Sequence, residues 1–235
     1  MIFIFANNII EIISLMLIYF KRIRNILIIL MVSKLIFAQD FSIARIHYDG
    51  GGDWYGDPSS IPNLLQYTQD NTSISINLDE AKIKLTDSDL YNYSYLYLTG
   101  HGNIRFSEDE VGLLRAYLLK GGFLHADDNY GMDKSFRREM NRVFPEKDWV
   151  ELSFDHEIFH SFYDFPNGLP KVHEHDGKPP QGLGLFNGEQ LIVFYTYESD
   201  LGDGWEDIEV HKDPQYIREE ALKMGINIIW FALTQ

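Results

Sequence analysis

Segments of strand length alternate with segments of helical periodicity along most of this chain, and this alternation is what most constrains its fold. Tyr93–Thr99 is an apolar run typical of a strand buried in a parallel sheet. Phe41–Tyr48 and Phe123–Ala126 predict two further strands. Between them, Ser107 and Glu110 form a capping box that begins a helix. Strands that alternate with helices predict an α/β fold with a mostly parallel central sheet and right-handed crossovers.

The remaining pattern predicts one domain. The further elements are a helix from Ser59 or Ser60, a helix over Lys134–Phe144, a hairpin of Gly184–Phe186 with Leu191–Tyr197 around Asn187-Gly188, and a last helix from Asp213-Pro214 to Phe231. No linker, repeat or low-complexity tract interrupts the sequence after Phe41. Residues 39–235 are therefore predicted to form a single domain.

The charge and the absence of cysteine exclude several classes of function. The formal net charge is −15, and because residues 1–38 hold four basic residues and one acid, residues 39–235 carry −18. Such an acidic body lacks the basic surface that nucleic acids require, so no nucleic-acid partner is expected. With no cysteine in the chain, disulfides, zinc–thiolate sites and thiol nucleophiles are excluded.

Residues 1–38 are predicted to be a signal peptide or a membrane-anchoring segment. The basic cluster Lys21–Arg24 precedes a short apolar run that ends at Ile36-Phe37-Ala38, which is the order of a secretory signal. Residues 2–20 are also long enough to span a bilayer, although Glu11 lies at their centre. We therefore expect an exported (periplasmic or secreted) or membrane-anchored protein, whose membrane contact is limited to residues 1–38. A soluble cytoplasmic protein is the remaining alternative.

Polar, glycine-rich loops follow the carboxyl ends of the predicted strands. Ligands of open α/β sheets bind at this edge, so one cleft that takes a small polar ligand is the simplest explanation. Solvated surface acids are the alternative for any single loop. The candidates for catalysis are Asp127, Asp128, His125 and His101. The candidates for ligand contact are Asp49, Asp53, Trp54, Asn103, Asn129, Glu198, Asp200, Asp203 and Trp205.

His173 and His175 are the candidates for a divalent metal site. Residues i and i+2 of an extended segment share a face, so both imidazoles can hold one ion, to which Asp127 can add a carboxylate. The alternative is a polar edge before a turn. His156–His160 matches H-E-x-x-H, but the apolar run of a long buried helix is missing, which favours a short helix over a zinc-protease motif. The four acids of Asp200–Asp207 lack the spacing of an EF-hand calcium loop.

Five long motifs resemble those of the bacterial family called domain of unknown function 4159. They are Ile46–Pro58 (IHYDGGGDWYGDP), Tyr97–Phe106 (YLTGHGNIRF), Gly121–Asp133 (GGFLHADDNYGMD), Val172–Gly184 (VHEHDGKPPQGLG) and Tyr197–Asp207 (YESDLGDGWED). The resemblance covers the chain from Phe41 to its C-terminus. It implies a three-layer, flavodoxin-like fold of the class I glutamine amidotransferase-like group, in bacterial proteins that are often exported or membrane-attached. It implies no particular activity.

The fold group that this resemblance implies bears on function in two ways, through its cysteine nucleophile and through its carbohydrate-related branch. Its amidotransferases place a cysteine nucleophile at a turn after a central strand, where this chain has Asp127-Asp128. A glutaminase that works through a thioester is therefore excluded. The Gly-Gly, apolar strand and histidine before that turn are also similar to the trehalose-utilisation branch of the group, which makes a carbohydrate ligand a reasonable guess by fold analogy alone.

Two functions are consistent with these residues. The first is a binding domain for a small polar ligand such as a sugar, working as a metal-assisted hydrolase, in which Asp127 or Asp128 is a base or metal ligand and histidines orient or ligate. The second is a non-catalytic module whose cleft binds a protein partner in a cell-envelope assembly. Trp54 and Trp205, taken as exposed, suit either function because aromatic rings stack on sugars and anchor protein partners.

Overall fold

A computed structural model describes residues 40–173 and 177–235, and its centre is a seven-stranded, mostly parallel sheet. The strands are β1 (Ile43–Ile46), β2 (Ala81–Ile83), β3 (Tyr95–Leu98), β4 (Phe123–Asp127), β5 (Val150–Glu151), β6 (Gln181–Asn187) and β7 (Gln190–Tyr197). Their order across the sheet is β2-β1-β3-β4-β7-β6-β5. The first five of these neighbours are parallel, whereas β6 and β5 add antiparallel pairs at one side. The predicted α/β class is confirmed.

Six α-helices and two short 3₁₀ helices connect the strands within the described residues. They are α1 (Ser60–Asn71), α2 (Glu108–Leu119), α3 (Asp133–Val143), α4 (Leu201–Trp205), α5 (Ile208–His211) and α6 (Gln215–Thr234), with 3₁₀ helices at Leu90–Asn92 and Glu157–Phe159. The capping box of α2 forms as predicted, with Ser107 and Glu110 each accepting from the other's backbone N–H. The H-E-x-x-H motif, His156–His160, lies around the short 3₁₀ helix Glu157–Phe159. It forms no long zinc-binding helix, as its sequence context indicates.

The hydrophobic core lies on both faces of the sheet because successive side chains of each strand point to opposite faces. In β3, Leu96 and Leu98 pack into a cluster with α2 and α3. Tyr95 and Tyr97 pack on the other face with α1 and α6. All side chains of β3 and β4 are buried. This burial explains why β3 is hydrophobic along its whole length, whereas β4 also buries two polar side chains, His125 and Asp127.

Several element boundaries differ from the sequence prediction. Strand β1 is limited to Ile43–Ile46, and α6 begins after Pro214 and continues to Thr234, three residues past the predicted end. Proline at this position has no N–H to leave unpaired, so it is readily accepted at a helix start. The hairpin of β6 and β7 forms, but Asn187 pairs with Gln190, so Gly188 and Glu189 make the turn.

The predicted signal or anchor over residues 1–38 lies outside the described residues. Among the helices that are described, none has the length and apolar character needed to cross a bilayer.

Candidate functional site

A buried arginine fixes the loop that follows β1. Arg45 is 1% exposed and forms an ion pair with Glu80, which is also buried. Its guanidinium donates to the carbonyl oxygens of Gly56 at 2.5 Å and Asp57 at 3.1 Å, and to Ser60 Oγ at 3.2 Å. This loop holds Asp57 in the left-handed region, with φ at +52°. A non-glycine residue kept in this region costs conformational energy, and such strain is concentrated at functional sites.

Asp127, the last residue of central strand β4, is the most heavily hydrogen-bonded acid of the site. Its Oδ1 accepts from Thr196 Oγ1 at 2.5 Å and from the Leu201 N–H at 3.2 Å. Its Oδ2 accepts from the Gly202 N–H at 2.5 Å and from the Tyr97 hydroxyl at 3.4 Å. Burial and the charge of a neighbouring acid nevertheless raise the pKa of Asp127 well above its usual value, since these donors offset only part of the desolvation. The four hydrogen bonds fix the position of the Asp127 carboxyl group.

A histidine lies behind this carboxyl in the core. His125 Nε2 is 3.1 Å from Thr196 Oγ1, whose single hydroxyl proton is directed to Asp127. His125 then donates from Nε2, which leaves Nδ1 without a proton. Within the described part of the chain, this buried Nδ1 has no hydrogen-bond partner. The side chains form a relay from His125 through Thr196 to Asp127.

Asp57 and Asp127 approach each other across Gly202. A methyl group at Gly202 would lie 3.1 Å from Asp127 Oδ2, 3.3 Å from Asp57 Oδ2 and 2.8 Å from the Tyr97 hydroxyl. Asn129 Nδ2 donates to Asp57 Oδ2 at 3.0 Å. Burial, followed by the charges of nearby acids, raises the pKa of Asp57 to about 7. Asp57 can therefore hold a proton near neutral pH.

The turn after β7 brings further acids to this edge. Glu198 and Asp200 both have left-handed backbones, with φ at +59° and +60°. Asp128 accepts from the backbone N–H of Glu198 at 2.9 Å, and the Glu198 carboxylate pairs with Lys171 at 2.9 Å. Asp128 also accepts from the Tyr195 hydroxyl at 2.9 Å. These bonds place Asp128 in a buried supporting network for the turn that carries Asp200.

Two histidines and two acids meet beside this turn. His173 Nδ1 is 2.6 Å from Asp203 Oδ2, and its Nε2 is 3.1 Å from Asp213 Oδ1. His211 Nε2 is 3.5 Å from Asp203 Oδ1. The carboxylates of Asp200, Asp213 and Asp203 raise the pKa of His173 to about 9, and burial raises the pKa of Asp203 to about 7. Imidazole nitrogens and carboxylate oxygens are the donor set that zinc prefers in catalytic sites.

The other candidates form a separate, more exposed group. His101 Nδ1 is 3.1 Å from Asp53 Oδ2, and the His101 N–H donates to the same carboxylate. Asn103 donates to the Gly50 carbonyl at 2.9 Å, and Asp49 forms an isolated bridge with Arg105. Trp54 is half-buried and stacks on His47 at 4.1 Å between ring centroids. The described contacts therefore divide the predicted cleft into this group and the one around Asp127. His175 lies outside the described residues.

The exposure expected for Trp205 is corrected. Trp205 is fully buried: its ring packs on Tyr97 and His125, and its Nε1 donates to the Ala221 carbonyl at 2.8 Å. It cannot stack on a ligand. His125 is also fully buried, so it can act on the site only through Thr196.

Comparison with known proteins agrees with the motifs quoted above. The sequence profile of the family described as Domain of unknown function (DUF4159) matches residues 42–233. The chain belongs to this family. No curated protein matches the chain.

Three residues of this DUF4159 domain were missed by sequence reasoning. Asp57 lies far along the loop that follows β1, three residues past Trp54, the last candidate that the sequence gives there. His211 lies on a four-residue helix, and Asp213 fits a helix cap by residue type. A signal was present for all three, since His211 and Asp213 continue the run of acids and turn residues that begins at Glu198, and Asp57 belongs to the motif Ile46–Pro58.

We expect His125 to make the DUF4159 domain sensitive to acid. Burial lowers the pKa of His125 from 6.5 to about 3, so its stabilising contribution is complete above pH 6.5 and is lost as the pH falls toward 3. At pH 5 the loss amounts to about 2 kcal/mol. Urea unfolding of wild type and His125→Phe at pH 7.5 and pH 5 measures this, and the stability difference between them should change by about that amount in favour of the variant. An unchanged difference contradicts a neutral buried imidazole.

Proposed function

We propose that this domain binds a small polar ligand, carbohydrate by class, at the carboxyl edge of its sheet and hydrolyses it. The observation that carries the proposal is the pair of carboxyl groups from Asp57 and Asp127, both within 3.3 Å of the same point above Gly202. A proton-holding carboxyl next to other acids is the arrangement used for general acid catalysis at neutral pH. A carboxylic acid that protonates the leaving oxygen is also characteristic of glycoside hydrolysis.

The roles follow from exposure and hydrogen bonding. Asp57 is half-buried and has a raised pKa, so it is assigned as the general acid that protonates the leaving oxygen. Asp127 is 1% exposed and saturated with donors, so it is assigned as a positioning residue that fixes the N–H groups of Leu201 and Gly202. Water activation is assigned to the neighbouring histidine–carboxylate group of His173, Asp203 and His211.

The finer fold assignment is part of the same proposal. The order β2-β1-β3-β4-β7 supports a flavodoxin-like arrangement, in which parallel strands follow the order 2-1-3-4-5 and ligands bind at the carboxyl ends. A class I glutamine amidotransferase-like relationship is consistent with the turn after β4, which carries Asp127-Asp128 where those enzymes have cysteine. Export or membrane anchoring through residues 1–38 is proposed from the order of basic and apolar residues.

Hydrolysis of chromogenic glycosides and simple esters by the full-length protein tests the proposal. Asp57→Asn keeps the shape and the acceptor for Asn129 but cannot donate an acidic proton. We expect it to lower kcat by about 100-fold or more, with a smaller effect on KM. Asp70→Asn, an exposed acid on α1, is the matched control and should leave the rate unchanged.

Two results would contradict this function. If no compound in the panel is hydrolysed and no sugar shifts the melting temperature, ligand binding and catalysis both fail. If sugars shift the melting temperature without turnover, the hydrolase fails, and the non-catalytic envelope module becomes the better description.

A further inference from the structure

We propose that His173, Asp203 and His211 bind one divalent transition metal ion of the zinc type. One ligand atom from each residue can be chosen so that all three lie within 4.8 Å of one another, which is the span that a single ion can bridge. Two imidazoles and one carboxylate form the three-ligand set of hydrolytic zinc sites, which keep a further position for water. This ligand set shares only His173 with the one that the sequence suggests.

The three ligands come from three different segments and are only partly exposed. His173 precedes β6, Asp203 lies on α4, and His211 ends α5. The side chains of both histidines are 28% exposed and that of Asp203 is 9% exposed, so the group is accessible from one side. A solvated surface cluster would not bring two imidazole rings to 4.8 Å between centroids against a buried carboxylate.

A neighbouring acid is placed as an outer-sphere partner would be. Asp213 Oδ1 is 3.1 Å from His173 Nε2, while Nδ1 of the same ring faces Asp203. Metal-bound histidines commonly donate their second ring N–H to a carboxylate, which fixes the tautomer and the ring orientation. The other oxygen, Asp213 Oδ2, is buried and has no hydrogen-bond partner among residues 40–173 and 177–235. An uncompensated buried oxygen is costly, and a nearby cation relieves this cost.

The backbone also turns the ligands toward the same point. Lys212 lies between His211 and Asp213 and has a left-handed backbone, with φ at +61°. This conformation lets the side chains of His211 and Asp213 reach the same cluster from the end of α5. His173 Nδ1 and Asp203 Oδ2 are 2.6 Å apart, so two of the three ligand atoms already face the same point.

A metal ion at this site would give the proposed hydrolase a group that activates water. Only this catalytic role rests on the proposed function. A metal ion lowers the pKa of its bound water and so supplies the nucleophile for hydrolysis near neutral pH. Asp57 lies beside the metal ligands, since a Cβ at Gly202 would be 3.3 Å from Asp57 Oδ2 and the ligand Asp203 is the next residue of the chain. The acid and the activated water would therefore act on the same bound ligand.

Metal content of tag-free, full-length protein tests the site directly. After removal of metal with a chelator, we expect reloading with Zn²⁺ to restore about one ion per chain, and Co²⁺ to give the visible absorption of a nitrogen–oxygen site of low coordination number. His211→Ala should weaken Zn²⁺ binding by more than about 100-fold, and Asp213→Asn by about 10–100-fold. His160→Ala is the matched control, because His160 also pairs with an acid, Asp164, but lies outside the site.

The outcomes separate this inference from the proposed function. Failure of the wild type to bind Zn²⁺ or Co²⁺ overturns the metal site, as does binding by His211→Ala equal to that of the wild type. Should His211→Ala not fold, Asp213→Asn decides, since it keeps the size of the side chain. Metal binding without hydrolysis upholds the site and rejects the proposed function. Hydrolysis that survives both chelation and His211→Ala rejects the catalytic role of the metal and upholds the proposed hydrolase, while the metal site itself is decided by the binding measurements alone.

Discussion

Replacing Arg45 with leucine is expected to lower the free energy of unfolding by about 3–5 kcal/mol, because it leaves a buried charge without its partner. The side chain of Glu80 is 5% exposed and has Arg45 as its buried partner, since its other partner, Lys82 at 3.5 Å, has a half-exposed side chain. The carbonyls of Gly56 and Asp57 would lose their guanidinium donors at the same time. Urea unfolding at pH 7, followed by tryptophan fluorescence, measures the difference.

Two further variants test whether burial governs the energy of the Arg45 ion pair. Arg115 forms an exposed ion pair with Glu146, so Arg115→Leu should cost no more than about 1 kcal/mol. In Arg45→Leu/Glu80→Leu, part of the stability should return, because the unpaired charge is removed together with its partner. Equal losses for Arg45→Leu and Arg115→Leu would show that burial does not govern the energy of the Arg45 pair.

Trp205→Ala is expected to destabilise the protein by about 3–5 kcal/mol, which is the usual cost of emptying an aromatic position in a core. The indole ring is fully buried against Tyr97 and His125 and donates to the Ala221 carbonyl. Removing it leaves a cavity between α4, α6 and the sheet, and leaves that carbonyl without its indole donor. Thermal and urea unfolding provide the measurement.

The same variant distinguishes a core residue from a ligand-stacking one. A tryptophan exposed on a loop would cost about 0.5 kcal/mol or less when truncated. Trp54→Ala is the appropriate comparison, because this ring is half-buried and packs mainly on His47. If Trp205→Ala proved as mild as Trp54→Ala, the buried position of Trp205 would be wrong.

The sheet and its flanking helices were predictable because their signals are local. Burial on both faces makes β3 and the first residues of β4 apolar, and the capping box of α2 can be recognised from two residues. The boundary of α6 was less predictable, because Asp213 fits a helix cap by residue type yet its carboxylate faces His173 instead. Local preference was overridden there by a long-range polar contact.

The candidate site was predictable only in part. The strand-end rule pointed to Asp127, Asp200 and Asp203, which do lie in the same acidic group. It could not identify Asp57, whose position depends on the buried side chain of Arg45 twelve residues earlier. Nor could it show that Trp205 points inward, because the short helix α4 sets the direction of its side chain.

The pairing of β4 with β7 has a consequence for how the chain is made. Leu124 pairs with Val193. The ribosome must therefore add 69 further residues after Leu124 before the second neighbour of β4 is available. Until then, β4 offers an open edge next to the apolar side chains of Phe123 and Leu124, and such an edge promotes intermolecular association. During synthesis at about 5–20 residues per second, this edge stays open for several seconds. We therefore expect fragments that end before β7 to aggregate.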